Sequence, residues 1–215
     1  GVTGAWAANV VTISGSPTTT VGSPFNYTVT LTGGCGVITA TGSITVAPNN
    51  TINLSSAPGT DAQSVCLNSP ISNITYATTG ATGASFSGLP AGVTGAWAAN
   101  VVTISGSPTT TVGSPFSYTV TLTGGCGTVT ANGTITVRPL PVIGSSQVEP
   151  TTCVSADGSI TLTMSGAAGP YTFAWTGSGV NATSQNQTGL TVGAYSVTVT
   201  AANGCTTTIT ITLTN

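Results

Sequence analysis

The sequence predicts an all-β protein, a row of antiparallel sandwiches, and three observations carry that prediction. Apolar residues alternate with threonine at a period of two, no segment has a helical period, and turn residues cut the pattern into short runs. Many short strands at this spacing favour tandem antiparallel β-sandwich modules of immunoglobulin-like architecture over a parallel sheet with helices. The cysteine and tryptophan spacing of true immunoglobulin domains is not reproduced, so the likeness is one of architecture.

The first clear strand has Tyr27, Val29 and Leu31 on one face and Thr28, Thr30 and Thr32 on the other, and Tyr118, Val120 and Leu122 repeat the arrangement. One face is expected to be core and the other a threonine-rich surface. Towards the C-terminus the alternating sets are Ile160, Leu162 and Met164; Tyr171, Phe173 and Trp175; Tyr195, Val197 and Val199; and Ile209, Ile211 and Leu213. Asp157-Gly158, Gly169-Pro170 and Asn203-Gly204 mark the turns between them. Threonine rows of this kind suit the solvent side of a strand, and a twisted small sheet is a poor lattice for ordering ice. Sequons at Asn26, Asn73, Asn132 and Asn181 are expected by chance in so threonine-rich a chain.

Residues 1–25 return letter for letter at 92–116, and the match extends to residues 1–46 against 92–137 with no gap. The two copies differ only at Asn26/Ser117, Val37/Thr128, Ile38/Val129, Thr41/Asn132 and Ser43/Thr134. The offset of 91 residues is the size of one sandwich. The expected division is a C-terminal half-unit at 1–47, a complete unit at 48–139 and a third unit of different wording at 142–215, with short linkers at 48–50 and 138–141. A half-sandwich cannot shelter its own apolar side, so the expectation is a piece of a longer array. Strands from a neighbouring chain are the other way to complete it.

The repeat also gives an account of the five cysteines. Cys35 is the counterpart of Cys126, and the counterpart of Cys66 would fall ahead of the first residue. The expected bridges are Cys66–Cys126 and Cys153–Cys205, with Cys35 left unpaired by truncation. Such bridges belong to an oxidising, extracytoplasmic place. The competing reading is a set of buried reduced cysteines, which behave as small core residues.

Composition excludes several classes of function. The chain of 215 residues has one Arg (Arg138), no Lys, no His and three acids, Asp61, Glu149 and Asp157. With no cations to neutralise phosphates, nucleic acid is not an expected partner. The apolar runs are too short for membrane insertion in this segment. General acid–base, nucleophilic and metal-assisted catalysis each need groups that are absent or far apart here, so no enzyme, no cofactor and no metal are expected. Calcium wants several carboxylates per ion; Asp157, in ADGSI, reads as a turn residue. Near-zero charge favours close association of modules.

Trp6 and Trp97 lie in GAWAAN, read as a loop ahead of the VVTIS strand. Two readings stand: partial burial over the end of the sandwich, or an exposed platform for a sugar ring. They are the candidate ligand contacts, and surface glycans the candidate ligand. Trp175, in an alternating run, is expected in the core.

The stretch from about 147 to 213, with CVSADGSITLTMSGAAGPYTFAWTGSG, GLTVGAYSVTVTAANGC and TITITL, resembles the SprB repeat of Bacteroidota surface proteins. The unit at 48–139, with SGLPAGVTGAWAANVVTISGSPT and TVTLTGGCGTVTANGTITV, resembles the PKD-like or putative Ig repeats of the same secreted proteins. The resemblance implies display at the cell surface, outer-membrane-anchored or secreted, with type IX secretion and a part in adhesion or gliding motility. It implies as partners the neighbouring repeats of the same chain or neighbouring filament subunits.

Overall fold

The computed structural model describes residues 1–215, and every regular element in it is a β-strand. Residues 1–47 form two separate antiparallel hairpins. β1 (Val2–Ala7) pairs with β2 (Val10–Gly15), and β3 (Phe25–Leu31) pairs with β4 (Ile38–Ile44). The first turn is the two-residue pair Ala8-Asn9, both at positive φ (47° and 63°), the geometry whose twist matches that of the flanking strands. No residue before Asn50 is buried.

The next unit is a full sandwich. Its strands are β5 (Thr51–Leu54), β6 (Ala62–Cys66), β7 (Ile74–Thr79), β8 (Gly83–Ser87), β9 (Val93–Ala98), β10 (Val101–Gly106), β11 (Phe116–Thr123) and β12 (Thr130–Arg138). One sheet has the order β5-β7-β10-β9 and the other β6-β12-β11-β8, with β6 parallel to β12 and all other pairs antiparallel. β9 to β12 repeat β1 to β4, and residues 49–91 contribute two strands to each sheet. The alternating residues meet between the sheets, where Ile74, Val102, Ile104, Val120 and Ile135 are fully enclosed. The PNN segment is docked rather than a free linker: Asn49 bridges Cys126, and the buried Asn50 donates through Nδ2 to the carbonyl of Gly124.

The third unit is a smaller sandwich of β13 (Pro141–Val148), β14 (Gly158–Gly166), β15 (Thr172–Thr176), β16 (Gln187–Leu190), β17 (Gly193–Thr200) and β18 (Thr206–Leu213). Its sheets are β13-β14-β16 and β15-β17-β18. Ile160, Leu162, Trp175, Tyr195, Val197 and Val199 fill its core, and the Trp175 indole N–H donates to the carbonyl of Ser184 at 2.7 Å. Only Pro139 and Leu140 separate β12 from β13, so RPLP is a joint rather than a linker of any length.

The joint is where the cysteine expectation is corrected. Cys66 is bonded to Cys205, with α-carbons 5.7 Å apart, and Cys35, Cys126 and Cys153 are free and exposed. Strand direction explains why Cys66 does not meet Cys126. Parallel pairing sets Cys66 opposite Arg138, at the end of β12, whereas Cys126 precedes the start of that nine-residue strand. At about 3.3 Å per residue the two lie roughly 25 Å apart, against about 7 Å for bridgeable α-carbons. Cys153 and Cys205 are separated in the same way. The eight residues of β13 carry the chain from the joint to the far end of its sandwich, near Cys153. The β17–β18 turn brings Cys205 back to the joint, where Thr207 Oγ1 donates to the carbonyl of Pro141 at 2.7 Å.

Candidate functional site

Two features stand out: the open face of residues 1–47 and the bonded joint between the second and third units. The open face is a cleft of about 1030 Å³ between the two front hairpins, lined by Val2, Trp6, Val11, Tyr27, Val29 and Leu31 among others. Each of these has a counterpart in the second unit that is enclosed, except that Trp97, the counterpart of Trp6, is half-covered. Tyr27 is 37 % exposed and Tyr118 1 %; Leu31 is 45 % exposed and Leu122 4 %. The residues at these positions are identical and the covering strands differ, so burial here is set by residues 49–91 rather than by the hairpins.

The covering strands also supply polar partners. Tyr118 and Tyr76 share a buried hydroxyl–hydroxyl hydrogen bond of 2.9 Å. Burial, as the largest cause, pushes both phenols above the usual tyrosine range; the shared bond raises the Tyr118 value further and lowers that of Tyr76. The Trp97 indole N–H donates to Thr78 Oγ1 at 3.0 Å, and the ring packs on the core. GAWAAN is therefore strand and tight turn rather than loop, because Ala99-Asn100 takes positive φ (47° and 63°) and closes β9 onto β10 in two residues. Trp97 is a half-covered structural residue. Trp6 is 64 % exposed on the open cleft.

At the joint the Cys66–Cys205 bridge is flanked by hydrogen bonds. Arg138 Nη1 donates to the carbonyl of Asn203 and Asn203 Nδ2 donates to the carbonyl of Pro139, each at 2.9 Å. The Cys205 amide is held by Asn203 Oδ1 at 3.0 Å. Sequence reasoning missed this site. The one available signal was the position of the lone Arg at the end of a strand, facing an Asn-Gly turn that no local pattern ties to it.

The three acids stay apart, and no group of three His, Cys, Asp or Glu side chains comes together. Asp157 accepts from the Thr151 hydroxyl at 2.7 Å and from the Thr151 amide at 3.0 Å. Those two bonds, the side-chain one first, hold its carboxyl below the usual range. Its place is a loop brace.

The geometry defines a tandem immunoglobulin-like all-β protein. Over 99 % of its length the chain is similar in structure to a titin fragment, domains I67–I69 in an E-to-A mutated variant, at 13 % identity and a TM-score of 0.58, covering 81 % of that chain. The I-band fragment I67–I69 from titin is matched over the same shares at 11 % identity and a TM-score of 0.55. These likenesses concern the fold. Residues 145–180 match the SprB repeat family, so the third unit carries an SprB repeat. A comparison with curated protein sequences finds no match. No helix is long and apolar enough to cross a membrane. An SprB repeat beside immunoglobulin-like units fits a cell-surface repeat or adhesion-type module, and such repeat families are typically structural rather than catalytic.

Proposed function

We propose that the chain is a structural segment of a long, repetitive bacterial cell-surface filament or adhesin, which projects from the cell and transmits force in adhesion or gliding. The observation that carries the reading is the joint: consecutive sandwiches are held in series by Cys66–Cys205 and the Arg138–Asn203 bonds. A globular enzyme has little use for such a joint between modules, whereas a rod needs its angle fixed. The SprB repeat at 145–180 supports an extracellular location, outer-membrane-anchored or secreted, in a gliding organism of the Bacteroidota with type IX secretion. Its partners are neighbouring repeats or filament subunits, and it does no catalysis.

The alternative is a glycan-binding accessory array of a secreted polysaccharide-degrading enzyme, favoured by the exposed Trp6 ring. Electron microscopy of native material tests the first reading. Long thin fibres labelled by an antibody against residues 142–215 are expected, and isolated globular particles would refute it. Carbohydrate retention that falls in Trp6→Ala would favour the alternative.

A further inference from the structure

The face left open in residues 1–47 has a closed counterpart on the same chain, and residues 49–91 are what close it. We propose that the open face is an acceptor for a polypeptide segment of the 49–91 type, and that the cysteine this segment carries at the Cys66 position forms a disulfide with Cys126. The inference goes beyond the surface-segment reading and does not rest on it.

The two acceptors are nearly identical in sequence and share the register of both hairpins. Residues 1–46 and 92–137 differ at five positions, and the only one of these packed against the second unit's core is Val129, which becomes Ile38. The edges that bind residues 49–91 are present and unpaired in the front unit. β10 meets β7 along Val101 to Ile104, β11 meets β8 along Thr119 to Thr123, and β12 meets β6 along Thr134 to Arg138. The matching residues of the front unit are 10–13, 28–32 and 43–47, and their strands are paired only within their own hairpins, with no strand on the second edge.

Two further details fit the same occupant. Phe86 lies directly over Gly95, leaving no room for a β-carbon there, whereas the same position at Gly4 opens on empty space. Tyr76 and Thr78 satisfy Tyr118 and Trp97, and the counterparts Tyr27 and Trp6 have no such partner.

The chain cannot fill the front acceptor with its own residues 49–91. Asn49 sits beside Cys126, so a segment serving the front unit would have to start beside Cys35. Val46 lies past the other end of the seven-residue β4, roughly 23 Å away. Residues 47 and 48 reach about 11 Å at full extension.

The cysteine follows from the joints. In the seated segment the residue at the Cys66 position would lie opposite Ala47, as Cys66 lies opposite Arg138. Pro48 corresponds to Pro139, and both carbonyls accept a bond from the cysteine-bearing turn of the following unit. Cys126 N donates to Pro48 at 3.2 Å, and Asn203 Nδ2, two residues from Cys205, donates to Pro139 at 2.9 Å. Cys126 therefore stands towards the front unit as Cys205 stands towards the second, free and exposed where its partner would arrive. In the bridging step each thiol gives up one proton and one electron. A small disulfide such as oxidised glutathione accepts both and leaves as two thiols.

The test mixes the full chain with a recombinant peptide of residues 49–91 in a buffer of reduced and oxidised glutathione. The expected result is a one-to-one complex by size exclusion with light scattering. A blue shift of emission that is absent in Trp6→Phe, and a peptic map linking the peptide's Cys66 to Cys126, are also expected. Val29→Asp, placed in a unit with nothing buried, should weaken binding roughly a hundredfold or more, because its carboxylate would be enclosed without a partner. Cys126→Ser should abolish the bridge and keep the complex. No complex, a complex indifferent to Val29→Asp, or bridging spread evenly over Cys35, Cys126 and Cys153 would overturn the proposal. So would self-association of the chain alone that Val29→Asp disperses, since it would assign the face to a second copy.

Discussion

Leu122 and Leu31 occupy the same place in the same local sequence, so one substitution should have two very different costs. Leu122→Ala is expected to destabilise its sandwich by about 2–4 kcal/mol, the transfer loss plus the cavity. Leu31→Ala should cost less than about 0.5 kcal/mol, as at other exposed sites. Urea titrations of the two variants check the pair. The Tyr76–Tyr118 contact adds a pH dependence. Both phenols have folded-state values above the free one, so their contribution is fully present below about pH 10 and falls as the pH climbs further, because the unfolded chain ionises first. Tyr118→Phe should lower stability at neutral pH by about 1–3 kcal/mol by stranding the Tyr76 hydroxyl, and should make the alkaline decline shallower. Asp157 has the opposite sign. Its lowered carboxyl braces Thr151 above the ordinary carboxylate value, and the brace is lost as the pH falls through the lowered value. The protection of the Thr151 amide relative to its intrinsic exchange rate should fall there, and should be lower in Asp157→Asn throughout the range above it.

At the scale of the elements, the joint makes its own prediction. Cys205→Ser should leave both cores folded, since neither is built around the bridge, while broadening the distribution of inter-unit angles seen by small-angle scattering. Arg138→Ala in the same background should broaden it again. The strands themselves were readable in the sequence because period-two alternation is a local signal: Tyr118, Val120 and Leu122 declare their inward face without reference to anything distant. GAWAAN, residues 95–100, reads as loop in the sequence because Gly95 and the small alanines hide the end of a strand whose pattern is completed by Phe86 from elsewhere. The disulfide was unreadable for a related reason. Cysteine spacing within a repeat says which residues recur, but the pairing depends on β6 running parallel to β12, a choice of strand direction that no local pattern encodes. The exposed hydrophobic face was readable, since the repeat itself shows which strands accompany the hairpins in the second unit.

Across the whole molecule, protection should fall into two parts. Residues 1–47 have no buried residue, and the two sandwiches behind them have enclosed cores. Thermolysin or pepsin under native conditions should therefore trim the front hairpins first and leave a resistant product starting near residue 48, read by mass spectrometry. The bridge has a mechanical consequence as well. Stretched between Asn49 and Asn215, the backbone reaches Cys66 and then crosses directly to Cys205, so the 139 intervening residue steps are tethered out of the pull. Both sandwiches lie largely inside that loop. A single-molecule trace should be missing roughly 490 Å of contour length, at about 3.5 Å per residue, until a reductant opens the sulfur–sulfur bond and the hidden slack pays out.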